Sequence, residues 1–181
     1  MEEISLHILD VAENALGAGA RRIGIRLEID EKNDRLRLEL TDDGRGMTPE
    51  VLRQAADPFF TTRTTRRIGL GLPLLKQAAE QSGGSFSLES SPGRGTAVKA
   101  EFGLSHWDRP PLGDMASTLL TLIVGRPEVD FVYRQVTGAG EFELDSGEIK
   151  QVLEGVSLSD PEVVLFLEKN VREATAGLAG V

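Results

Sequence analysis

The sequence contains no cysteine, which excludes disulfide bonds and thiolate metal sites and gives no pointer to an oxidising compartment. It also lacks any apolar run near the roughly 20 residues that a membrane-spanning helix requires. The opening MEEISLHILD is acidic rather than basic, a poor secretory leader. A cytoplasmic protein with no membrane partner is the expectation. A positive balance is missing too. The formal net charge is −9 over 181 residues, and it is unevenly placed. Residues 1–104 carry 14 Lys+Arg against 16 Asp+Glu, a net of −2, whereas residues 105–181 carry 6 against 13, a net of −7. An acidic second part repels phosphate, so nucleic acid is not expected as a partner. Only TTRTTRR (61–67) forms a basic, hydroxyl-rich patch suited to a polyanion.

What is present fits a globular chain. Hydrophobic residues make up 40% and charged residues 27%, and the length allows one ordinary domain or two small ones. Ile4, Ile8, Val11, Ala12 and Ala15 recur at helical spacing over 4–16. Ile23, Ile25, Leu27 and Ile29 alternate with polar residues, as do Leu36, Leu38 and Leu40, which predicts two half-buried strands joined through DEKND as an antiparallel hairpin. Thr48 and Pro49 suit the cap and first turn of a short helix. An irregular loop is expected over 57–70, a helix over about 72–81, and strands at SFSLES and TAVKAEF. Helix, hairpin, helices, then strands predict an α+β fold, a two-layer α/β sandwich. LSHWDRPPLGD (104–114) reads as a linker. Beyond it, MASTLLTLIV, SGEIKQVLEG and DPEVVLFLEKNVREA read as helices, the last with Asp160 as N-cap, and DFVYRQV and EFELD as strands around TGAG. No internal repeat or low-complexity tract is visible.

Several polar groups sit where chemistry is possible. Asp10 and Asn14 are four apart on the first helix and share a face. A carboxylate and an amide oxygen so placed can hold Mg²⁺ directly or through water, although the helix taken alone reads first as a solvated polar face. TDDGRGM (41–47) follows a strand. There Asp42 could accept from a ligand donor such as an exocyclic amine, and Gly44 and Gly46 permit close approach, or the segment is an ordinary Asp-Gly turn. RRIGLGLPLL (66–75) sets Gly69 and Gly71 before a helix, where free N–H groups attract phosphate. Thr61, Thr62, Arg63, Arg66 and Arg67 upstream add hydroxyls and guanidiniums suited to phosphate. It is neither a P-loop nor a dinucleotide fingerprint. PGRGT (92–96) alone is a hairpin turn.

Five elements occur in order: Asp-x-x-x-Asn on a helix, D-x-G-x-G after a strand, D-P-F-F-T-T, G-L-G-L opening a helix, and G-x-G-T. With them the chain resembles the GHKL superfamily of ATP-binding domains, shared by gyrase, heat-shock chaperone ATPases, sensor histidine kinases and MutL, over about residues 4–103. Its front, ENALGAGARRIGIRLEI, is most similar to MutL. Its rear, from DPFFTTR to SSPGRGT, is most similar to a histidine kinase catalytic domain. The resemblance implies a Bergerat-type fold with ATP and Mg²⁺ as cofactors. It makes Asn14 the Mg²⁺ ligand, Asp42 the partner of the adenine amino group, and Gly44, Gly46 and Met47 the backbone beside the base. Phe59 and Phe60 become lid anchors, or plain core filling. Thr61, Thr62 and Arg63 continue the lid, Gly69, Leu70, Gly71 and Leu72 form its phosphate-side hinge, and Thr96 assists at the adenine through water.

The chain departs from the family pattern in two places. ATPase members place a glutamate four residues before the asparagine, as general base. Here it is Asp10, one methylene shorter, a weak candidate for that role. His7 lies within the nucleotide-binding helix and reads as a residue on the site's rim, not a phosphoacceptor. The implied organisation is an ATP-binding domain over 1–104, a linker over 105–113 and an acidic C-terminal module of unknown role over 114–181, suited to protein contacts or a homodimer. Three functions remain open: a kinase-like regulator acting on a protein partner, a slow ATPase switch, and a non-catalytic nucleotide sensor.

Overall fold

The computed structural model describes residues 3–55 and 71–178. Its elements run α1 (Ile4–Gly17), β1 (Arg22–Asp30), β2 (Arg35–Asp42), α2 (Pro49–Gln54), α3 (Gly71–Gln81), β3 (Ser85–Ser90), β4 (Thr96–Gly103), α4 (Met115–Gly125), β5 (Asp130–Thr137), β6 (Gly140–Asp145), α5 (Ser146–Val152) and α6 (Pro161–Thr175). The six strands form one sheet in the order β3-β4-β2-β1-β5-β6. The β1–β2 hairpin is antiparallel, with Leu27 opposite Leu38, and β4 enters between β3 and β2.

Alternation decides which face is wet. Ile23, Ile25, Leu27 and Ile29 of β1 and Leu36, Leu38 and Leu40 of β2 are buried, and so are Val98, Ala100 and Phe102 of β4. Their neighbours point the other way, into a lattice of ion pairs on the open face. There Arg37 reaches Glu28 at 2.7 Å and Glu101 at 2.9 Å. One buried face and one charged face make the two-layer α/β sandwich expected from the pattern. Helix α1 packs on α3 and α4 in the covering layer.

The segment beyond the linker extends this sheet. β5 pairs parallel with β1, Ile23 opposite Phe131, and β6 pairs antiparallel with β5. Buried residues from both parts, Ile4 and Leu75 with Leu119 and Tyr133, join one core cluster. The connection over 104–114 is itself docked. Ile4 N–H donates to the Pro111 carbonyl and Ser5 N–H to Leu112, each at 2.9 Å, so the linker supplies acceptors to the first turn of α1, which Glu3 does not cap with its side chain.

Candidate functional site

The strand alternation that buries Leu36, Leu38 and Leu40 sends Asp42, at the end of β2, toward the helix layer. Thr96 stands opposite it in the β2–β4 ladder, on the same face as Val98 and Ala100. Asp42 Oδ1 accepts the Gly44 N–H at 2.8 Å. Burial pushes the Asp42 carboxyl above the usual carboxylate range; the Gly44 and Thr96 N–H groups pull it back, and the neighbouring Asp43 adds to the rise. Such a carboxylate gains from a ligand that donates. Adjacent Asp43 is engaged differently. Its Oδ1 accepts from Arg21 and Arg22 N–H at 2.7 and 2.9 Å; burial opposes its charge, but these N–H groups outweigh it and hold the carboxyl below its ordinary value.

The loop after Asp42 is held tightly. Arg45 N–H donates to the Ala18 carbonyl just past α1 at 3.0 Å, and Gly93 N–H to the Arg45 carbonyl at 2.8 Å. Met47 N–H donates to Ser90 Oγ at 2.9 Å. Gly46 has φ +68°, and a Cβ there would strike the Ser91 carbonyl. Gly95 has φ +75°, and its Cβ would strike the Asp42 carbonyl. Both positions need glycine for conformation and for space. Asp42, Ser90, Gly95 and Thr96 border an open cleft of about 270 Å³ at this end of the sheet, together with Thr41, Glu89 and Ala97, which alternate to the charged face.

On α1, Asp10 is exposed and Asn14 half-buried, four apart on one face. Gly71 opens α3 so close to this face that a Cβ on it would lie 2.9 Å from Asp10 Cβ. The start of α3, with Leu72 packed against the core, is thus brought to Asp10. His7, expected at a rim, is instead buried at 2% exposure, because it shares the stripe of Ile4, Ile8 and Val11 that faces the core. Phe59, Phe60, Thr61, Thr62, Arg63, Gly69 and Leu70, with the loop expected over 57–70, lie outside the described residues.

The donor set has a definite chemistry. Among the described residues no three His, Cys, Asp or Glu side chains gather into a cation cage. Asp10 and Asn14 carry hard oxygen donors, a type that can share a Mg²⁺ ion with phosphate and water. Sequence reasoning missed Ser90 and Asp43. Ser90 sits inside SSPGRGT, where a serine beside Pro and Gly signals only a turn, and nothing local shows that its hydroxyl meets Met47 across 43 residues.

Comparison with known proteins places the chain in a family. The sensor protein kinase FleS of Pseudomonas aeruginosa is 40% identical over 91 residues, 50% of this chain and 22% of that protein. The sensor histidine kinase ZraS of Klebsiella oxytoca is 36% identical over 89 residues, 49% of this chain and 19% of that protein. The chain thus spans about a fifth of the length of these curated relatives. A solved structure described as the N-terminal domain of a DNA repair protein superposes with a TM-score of 0.55 at 13% identity, covering 80% of this chain and 52% of that one, a likeness of fold. Residues 2–106 match the model of the histidine kinase-, DNA gyrase B- and HSP90-like ATPases, an ATP-binding domain covering more than half of the chain. The chain belongs to that family.

Proposed function

We propose that the chain binds Mg·ATP between α1, the 42–47 loop and the start of α3, and acts as a regulatory protein of histidine-kinase-like type on a protein partner. The observation that carries this reading is Asp42: a half-buried carboxylate on the helix-side face, pushed up by burial and fixed by a loop whose glycines let the backbone pack closely around it. In this reading Asp42 accepts from the adenine amino group. Thr96 holds a water beside it, Asn14 contributes an amide oxygen to the ion, and the N–H groups opening α3 face the phosphates. Bound Mg·ATP would supply the transferable γ-phosphoryl group. The chain's own part is positioning and electrostatics, with the acceptor coming from the partner. The identity with two sensor kinases supports the kinase-like role.

One observation favours a second reading, a slow ATPase switch. Asp10 is exposed and adjoins Gly71 at the start of α3, where a carboxylate could polarise a water near the phosphates. The experiment is incubation with γ-labelled ATP and Mg²⁺, scoring binding, free phosphate and label on protein for wild type, Asn14→Ala and Asp10→Glu. The kinase-like reading expects tight binding, little free phosphate and label transfer to a partner. Faster phosphate release by Asp10→Glu supports the ATPase reading. Unchanged affinity in Asn14→Ala and in Asp42→Ala overturns the site.

A further inference from the structure

Ser90 ends β3, and alternation with Phe86 and Leu88 turns its side chain to the face that carries Asp42 and Thr96. Its hydroxyl makes three contacts. It accepts from Met47 N–H at 2.9 Å, donates to the Gly95 carbonyl at 2.8 Å, and lies 3.0 Å from Thr96 Oγ1. A serine hydroxyl owns one proton and two lone pairs. The Gly95 carbonyl can only accept, so it takes the proton, and Met47 N–H occupies one lone pair. The contact with Thr96 is then a hydrogen bond only if the threonine donates. Thr96 spends its proton on Ser90 and offers lone pairs alone to a ligand on the Asp42 face of the sheet. Opposite it in the ladder is Asp42, whose ionised carboxylate also only accepts. Two acceptors therefore face whatever binds.

We infer that Ser90 is a positioning residue that fixes Thr96 as an acceptor, so that the site selects a purine bearing an exocyclic amine over one bearing a carbonyl at that position. This rests on the nucleotide reading proposed for the cleft and assigns its base selectivity. An amine, directly or through a water that it orients, donates to both acceptors. A carbonyl sets an acceptor against these acceptors, with only the neighbouring N1–H left to donate, so at least one of them loses its partner, and buried polar groups left unpaired are what give such sites their discrimination.

The test compares equilibrium binding of ATP and inosine triphosphate, which differ at that position, to wild type, Ser90→Ala, Ser90→Cys and Ser90→Thr, each checked for folding by its melting temperature. Wild type should prefer ATP by about 100-fold or more. In Ser90→Ala the Thr96 hydroxyl is released to donate to a carbonyl, so the preference should fall about tenfold, chiefly through tighter inosine triphosphate binding. Ser90→Cys, nearly isosteric but a weak hydrogen-bonding group, should behave like Ser90→Ala and serves if the alanine variant does not fold. Ser90→Thr, which keeps the hydroxyl, should keep the preference. An unchanged ATP preference in the alanine or cysteine variant overturns the inference, and so does an equal loss of both nucleotides. Wild type binding both equally overturns it while leaving the nucleotide reading intact; wild type binding neither overturns that reading as well.

Discussion

Residues 3–103 and 104–178 contribute to one sheet and one core, yet they use the same residue types in opposite ways. In the second region the aspartates are spent on structure. Asp114 accepts from Ser117 N–H at 2.9 Å, Asp145 from Gly147 and Glu148, and Asp160 from Glu162 at 2.9 Å, each capping its helix. Two buried polar groups there are likewise occupied: the Tyr133 hydroxyl donates to Gln135, which donates to the Ala174 carbonyl. In the first region Asp43 is spent in the same manner, and Asp42 beside it takes the Gly44 and Thr96 N–H groups, but there burial outweighs them and pushes the carboxyl up. A carboxylate that stabilises the fold is satisfied from within. The proposed ligand partner differs in that its burial is not fully offset by the N–H groups it accepts from.

Substitutions can break or sharpen this contrast. The largest effect is expected at Gly95. Alanine there is strained at φ +75° and strikes the Asp42 carbonyl, so Gly95→Ala should abolish ATP binding in a titration. Tyr133→Ala should cost about 3–5 kcal/mol, and because both regions share one core, denaturant should unfold them in a single transition; two separate transitions would divide the regions thermodynamically. Asp114→Ala should cost about 1 kcal/mol at neutral pH, the loss of one cap. The Ser117 N–H and hydroxyl, helped by Arg172 and against some burial, hold the Asp114 carboxyl below its ordinary value. A depressed folded value gives stability present above the unfolded value near 3.9 and lost as pH falls through the folded one. The difference between Asp114→Ala and wild type should therefore shrink below about pH 4 in acid-unfolding curves. Smallest is Gly138→Ala, in the β5–β6 turn with open space around it, expected to change stability by no more than about 0.5 kcal/mol in thermal melts.

The elements were legible wherever period and cap agreed. Alternating Ile23–Ile29 and Leu36–Leu40 gave β1 and β2, and Thr48-Pro49 and Asp160-Pro161 gave helix starts that the observed caps match. Composition separated the acidic second part, but no local pattern encodes that β5 lies parallel to β1. That pairing depends on the distant complementarity of Phe131 and Tyr133 with Ile23 and Ile25. At the site, Asp42 and the glycines stood out only through the order of the five elements, since TDDGRGM alone reads as an ordinary turn. Ser90 did not, because its meaning lies in a contact with Met47 that only the fold creates.

The most direct measurement is the melting temperature with and without Mg·ATP for wild type and Asp42→Ala. At about 100 times the Kd, ligand binding stabilises a folded chain by about 2.7 kcal/mol, which for this size raises Tm by roughly 5–11 °C. Wild type should show that rise and Asp42→Ala should show none at the same concentration. An equal rise in both would place the nucleotide elsewhere and contradict the site at Asp42.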